Sequence, residues 1–321
     1  MEDNNGQIYH IEGSNLYKDD EQVLSVTTSN LIKNPLYYDS TTNTYWIGLD
    51  KKIIQPQFWL QNSSQSSNTG FTADARASQG ESFLNFAVQG NKVYLIYIDY
   101  EDSSDPNIIY FTKDENVKLT EQNRIQISSI DGVSGEVTDM AVLEDGTVAV
   151  LVNEKSLNTA NQFTLNDGCT VNSRGALVLL SSDLSTYKVY GWTDSPRTIS
   201  ATGKDTQTGT LTEWTSITAY IPDYAERNSH FYGPMRIVAI RPKELVIADC
   251  GANFVLADYK EHRQGKMFTH NRLMTVNLRN FAIGCKKEFS EDELKFQNLS
   301  ISGNIAVSTD GDWSNKYVDE K

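Results

Sequence analysis

Three segments of this chain repeat one pattern: an apolar strand ending in Ala-Val or Ala-Ile, a tight turn, then a second apolar strand. They fall at residues 83–88 with 93–98, 137–142 with 147–152, and 235–240 with 245–249. Asp145-Gly146 offers the positive-φ turn that a tight hairpin needs, and Gln89-Gly90-Asn91 and Arg241-Pro242-Lys243-Glu244 stand at the same place in the other two. Weaker copies lie at 36–39 with 44–49 and at 299–301 with 305–308. A second strand pair follows at 176–180 with 187–192, and again at 272–278 with 281–283. Four antiparallel strands recurring as one unit make a propeller blade.

The first strands begin near residues 36, 83, 137, 235 and 298, a blade plus loops apart except for one long step that holds a complete blade and then 194–230. The expectation is an all-β fold, a single β-propeller domain over 1–321 built of four-stranded antiparallel blades. Five blades are visible, and a sixth stays open because 194–230 reads as a large insertion or a degenerate blade. The strands at 298–308 lack partners, and those at 6–11 and 23–26 could complete their blade, so both termini are expected to close the ring and hide sheet edges. A β-sandwich does not produce a hairpin repeat at this spacing.

The Trp192–Thr198, Phe231–Arg236 and Ile240–Asp249 stretches resemble β-propeller lipoproteins of spirochaetes, distantly similar to NHL-type six-bladed propellers. The resemblance runs from Gly135 to Leu278, and the hairpin motif is its specific part. It implies an extracytoplasmic place, as a lipoprotein or a periplasmic protein, and a binding role. Where those propellers show Asp-Asp-Gly or Asp-Glu-Gly after the second strand, this chain has Asp249-Cys250-Gly251, and it carries no lipid-bearing Cys. Membrane attachment is therefore expected only through an anchor outside this chain. Residues 1–6 also lack the basic-then-apolar stretch of a secretory signal.

Charge narrows the partners. The chain carries 28 Lys and Arg against 42 Asp and Glu, a net charge of −14, which argues against nucleic-acid binding because duplex affinity rests on neutralising phosphates. From 223 to 288 the balance reverses, with 11 basic against 7 acidic residues. That patch suits an acidic partner, a glycan or a carboxylate ligand, although chance variation in surface charge explains it as simply.

Chemistry is sparse. No GxSxG, HExxH, phosphate-cradling loop or GxGxxG before a helix is present, and no cofactor is expected. His230, His262 and His270 fall on loops of one propeller face and could form a zinc set with Asp249 or Asp258 nearby, but solvated loop histidines are the simpler reading. Cys169, Cys250 and Cys285 are expected as thiols. The pair able to approach is Cys169 with Cys250, because a strand separates Cys250 from Cys285 by about 10 Å, two strand spacings.

The three longest insertions, 154–174, 194–230 and 250–270, all fall on the face opposite the tight turns. A monomeric, non-enzymatic module that binds a protein, a small molecule or a glycan through that face is the expected function. The alternative is a hydrolase or lyase acting on a sugar or lactone, metal-dependent if the histidines converge. Aromatic residues crowd the longest insertion, with Arg227, His230 and Arg236 among them. Those rings either pin the insertion to the propeller or line a site. In the second case Tyr224, Arg227, His230 and Tyr232 are the ligand-binding candidates, with Arg236 at the channel mouth.

Overall fold

The fold was read from a computed structural model, which describes residues 6–12, 15–25, 31–49, 52–54, 70–72, 81–99, 103–114, 119–159, 169–205, 207–251, 253–258, 263–268, 271–289, 298–301 and 305–308. Among these residues there is no α-helix, and nearly all regular structure is strand. A small sheet comes first, of β1 (Tyr9–Glu12), β2 (Asn15–Lys18) and β3 (Glu21–Ser25). Four blades follow. The first holds β4 (Leu31–Asp39), β5 (Thr44–Leu49), β6 (Lys52–Ile54) and β7 (Gly70–Thr72). The second holds β8 (Glu81–Gln89), β9 (Lys92–Asp99), β10 (Ser103–Lys113) and β11 (Leu119–Gln126). The third holds β12 (Glu136–Val142), β13 (Val148–Thr159), β14 (Cys169–Leu180) and β15 (Tyr187–Tyr190).

Before the fourth blade come β16 (Arg197–Asp205) and β17 (Leu211–Tyr220). That blade then uses β18 (Pro234–Arg241) and β19 (Glu244–Asp249), leaves for a hairpin of β20 (Asn253–Asp258) and β21 (Arg263–Phe268), and returns through β22 (Arg272–Asn277) and β23 (Ile283–Glu288). A last hairpin pairs β24 (Asn298–Ile301) with β25 (Ile305–Ser308).

The blades sit side by side in chain order. The first strand of each lies against the first strand of the next, from β4 through β8, β12 and β18 to β24. This is a propeller-like arrangement with four complete blades. The expected fifth is described only as the β24–β25 hairpin. Closure by the termini is not seen, because β1–β3 and β24–β25 are separate sheets and no pairing joins them among the described residues.

Unbroken apolar strands explain the packing, since a strand buried on both faces needs no polar alternation. On β13, Val148, Val150 and Val152 face the second blade and meet Tyr94, Ile96 and Ile108. The residues between them, Ala149 and Leu151, face the fourth blade and meet Ile237, Ile247, Met274 and Val276. The first and second blades join in the same way, Trp46 packing on Phe86, Val88 and Leu95.

Polar side chains stitch the inner strands. Asp139 on β12 accepts from Asn85 on β8 at 3.2 Å and from the Ile237 amide on β18 at 2.8 Å. Tyr37 on β4 accepts the Val142 amide at 3.3 Å, so its ring reaches past the second blade to the third. Burial pushes both the Asp139 carboxyl and the Tyr37 hydroxyl above their ordinary pKa values; Arg236 is the chief opposing influence on Asp139, and the Val142 amide on Tyr37.

Candidate functional site

The three long insertions meet. Beyond Val152 and Gly175, β13 and β14 run on as a hairpin out to Thr159 and Cys169. Thr170–Asn172 of β14 pairs in parallel with Thr218–Tyr220 of β17, and β17 pairs with β16. Lys204 and Asp205 of β16 then pair with Gln264 and Arg263 of β21, whose hairpin partner is β20. Three hairpins from three connections thus form one sheet of six strands, ordered β13-β14-β17-β16-β21-β20. The stretch 194–230 joins its neighbours as one hairpin and a loop. Only its second strand shows in the sequence, because β16, reading Arg-Thr-Ile-Ser-Ala-Thr-Gly-Lys-Asp, has little apolar content and a bulge between Ile199 and Ala201.

Arg174 fastens this platform to the blade. Its guanidinium lies 4.2 Å from the Trp192 ring centre and 4.4 Å from that of Tyr220. It also pairs with Glu154 and donates to the Thr193 carbonyl at 2.8 Å. A planar cation between two rings gains from both quadrupoles, and more so when partly desolvated.

Between β17 and β18 runs a loop, residues 221–233, that carries most of the candidate residues. Its start is held by Arg197, which donates to the carbonyls of Ile221 at 3.2 Å and Pro222 at 3.1 Å. Its end is held by a fully buried ion pair between Asp249 and Arg272, whose side chains are 0% and 1% exposed. The Asp249 carboxylate accepts the amides of Tyr232 at 3.0 Å and Gly233 at 2.6 Å. Arg272 donates to the carbonyl of His230 at 3.0 Å and to that of Arg227. Two buried charges that would each be costly alone thereby satisfy one another and four backbone groups of one loop.

Glycine makes the close approach possible. The Gly175 amide donates to the Phe231 carbonyl at 3.1 Å, and a Cβ there would lie 2.0 Å from Cδ of Pro234. Gly191, at φ +76, accepts the Phe231 amide at 2.9 Å, with the Phe231 ring 2.4 Å from where a Cβ would stand.

The candidate side chains occupy different environments. Tyr224 is 64% exposed. The Arg227 guanidinium stacks 3.5 Å from its ring centre, donates to its carbonyl at 3.2 Å, and lies 3.7 Å from Glu288. His230 is half-buried, its Nδ1 3.0 Å from the Ser229 hydroxyl and 3.2 Å from the Glu226 carbonyl. Tyr232 belongs to the same loop, but its ring is 1% exposed and lies under Arg272 at 4.6 Å. Arg236 is on β18, its Nε 4.0 Å from Asp139.

Tyr224 and Arg227 therefore lie along two successive turns of the loop, 223–226 and 226–229, with His230 just beyond them, and Tyr232 forms the loop's buried foot. His262 and His270 lie outside the described residues. Among the described residues no group of three or more His, Cys, Asp or Glu is placed to hold a metal. Cys285 is a half-buried thiol whose pKa burial raises, and the Cys169 side chain also lies outside the described residues.

The arrangement presents an aromatic ring and a guanidinium on a fixed backbone, and its buried charges are committed to anchoring. Arg272 is the residue that the sequence reading missed, and Asp249, expected beside the histidines of a zinc set, is instead its partner in holding the loop. Asp249 closes the apolar run Leu-Val-Ile-Ala-Asp, Arg272 opens the run Arg-Leu-Met-Thr-Val, and the two stand directly opposite in the β19–β22 register. Opposite charges at matched strand ends were the available signal.

Comparison with known proteins adds a family. The family described as the TdpA C-terminal domain matches residues 109–298, a stretch that starts within β10 and takes in the third and fourth blades, all six platform strands and the 221–233 loop. No curated protein matches the chain. These comparisons lend no support to a kinship with spirochaetal lipoproteins or NHL-type propellers. The match covers more than half of the sequence, and the chain belongs to the TdpA C-terminal domain family.

Proposed function

We propose that this protein is a non-enzymatic binding module whose long-loop end recognises an acidic glycan through the 223–230 turn. The observation that supports this reading is the contrast within one loop. Its backbone is anchored by Arg197, Asp249 and Arg272, while Tyr224 stays 64% exposed with Arg227 stacked on it. A structural pin buries its ring; a recognition residue keeps it available on a rigid support. An exposed aromatic face suits a sugar ring, and a guanidinium suits a carboxylate. The basic balance from 223 to 288 would steer such a partner towards this end of an acidic body.

The test pairs stability with binding. Tyr224→Ala should cost about 1 kcal/mol or less in thermal or denaturant melts, as surface truncations do, and Arg227→Ala, at a partly buried side chain beside Glu288, no more than about 2 kcal/mol. Titration with a uronate oligosaccharide should show salt-sensitive binding that both variants weaken at least about tenfold, a loss of about 1.4 kcal/mol each. Loss of several kcal/mol of stability with no change in binding would make the two side chains pins and end the proposal.

A further inference from the structure

The outer edges of the sheets differ in how they are guarded. The outermost strands of the second, third and fourth blades carry charge within them: Glu121 and Arg124 on β11, Lys188 on β15, Lys286 and Lys287 on β23. The outermost strand of the first blade, β7, is only 3 residues long. Charge and shortness are the usual protections of an open sheet edge against pairing with another chain. At one end of the platform, distal β13 carries Glu154 and Lys155. At the other end stands β20, reading Asn-Phe-Val-Leu-Ala-Asp, with no charge before its last residue. Among the described residues, β20 pairs with β21 alone.

We propose that β20 pairs antiparallel with β20 of a second copy of this chain, across a two-fold axis, so that two platforms become one continuous sheet. Residues opposite one another in an antiparallel pair turn their N–H and C=O both towards the partner or both away from it, so the axis of a self-paired strand passes through a residue position. An axis at Val255 sets Val255 opposite the partner's Val255, and Phe254 opposite the partner's Leu256. Asn253 then faces the partner's Ala257, and Asp258 falls outside this apolar register, opposite no charged residue. Aromatic and β-branched pairs of this kind are the favourable cross-strand combinations.

Charge points to a second copy as well. The body of the chain is acidic, at −14 overall, and would repel itself on most approaches. The strands β20 and β21 carry Asp258 against Arg263 and Lys266, so this hairpin meets its copy without that excess. An isologous contact of this type also closes, leaving no further β20 edge to extend the assembly. The pairing does not rest on what the 223–230 turn binds.

Sedimentation of the full chain across a concentration series tests the proposal. The mass should rise to twice the 36.0 kDa of one chain, and Val255→Lys, which sets two like charges together at the axis, should return it to one. Mild oxidation of Val255→Cys should give a covalent dimer well above the unsubstituted chain, whereas Leu256→Cys, facing the partner's Phe254, should not. If Val255→Lys fails to fold, the two cysteine variants decide alone. A chain that stays monomeric at its highest soluble concentration overturns the proposal and leaves β20 open to an extended segment of another protein. Equal cross-linking from both cysteine positions overturns it too.

Discussion

At the turn end of the propeller, Asp39 of the first blade accepts the Gly90 amide of the second at 2.9 Å, and Gln89 donates to the Leu143 carbonyl of the third at 2.9 Å. Tyr94 reaches the Ser182 carbonyl at 2.7 Å in the same way. Each of these links between blades joins one side chain to one backbone group, and Asp39 otherwise serves only Thr41 and Thr42 of its own short turn. At the loop end, Asp249 and Arg272 are both fully buried and hold four backbone groups of a single loop, and Arg174 is clasped between two rings and a carboxylate. A tight turn closes little chain and needs little anchoring. A long connection leaves many backbone polar groups to satisfy, and charged groups satisfy several at once.

The largest test of that difference is at the loop end. Arg272→Ala leaves Asp249 buried without its cation and should destabilise the protein by about 3–5 kcal/mol in denaturant unfolding. Arg272→Met combined with Asp249→Leu should recover much of that loss, because it removes both charges together. A small effect of the single variant would erase the contrast between the ends.

Asp139 lies between the ends, buried and bonded to neighbouring amides, with Arg236 4.0 Å away. Asp139→Asn sets an amide NH2 against an N–H donor and should cost about 1–3 kcal/mol. Burial raises the folded-state pKa of Asp139 above its unfolded value, so ionisation works against the fold. Its contribution is then complete below about pH 4, the unfolded carboxylate range, and is lost as pH rises through the folded-state value. Asparagine does not titrate, so that step should be missing from the variant's stability-against-pH curve.

The smallest effect belongs to the turn end. Asp39→Ala removes the acceptor for Thr41, Thr42 and Gly90, and a loss of about 1–2 kcal/mol is expected because part of that turn can turn to water. A cost equal to that of Arg272→Ala would show that both ends rest on comparable anchors.

What could be read from the sequence follows the same division. The hairpins at 137–152 and 235–249 show plainly, because apolar runs and the Asp-Gly or Pro turns between them are local signals, and the structure has them as β12–β13 and β18–β19. The strand expected at 281–283 begins only at Ile283, since Phe281 takes φ +57 within the turn. That the three insertions share a face followed from counting strands. That they pair with one another did not, because the parallel contact of β14 with β17 and the short contact of β16 with β21 join segments far apart in the chain and leave no periodic trace. At the loop, the exposed Tyr224 and the buried Tyr232 look alike in sequence. What separates them is the ion pair beneath Tyr232, set by the register of two strands that the loop does not contain.

At the loop end, three connections are joined into one sheet and are not three independent loops. Native-state hydrogen exchange at the Thr218–Tyr220 amides measures this, with β13 amides such as Val150–Val152 as the internal reference. Pairing to β16 alone protects only alternate amides of β17, whereas pairing to β14 as well predicts protection of all three of Thr218–Tyr220 that approaches the reference and that falls when Arg174→Ala loosens the junction. Exchange at these amides as fast as in an unstructured chain, with the blade amides still protected, would contradict it.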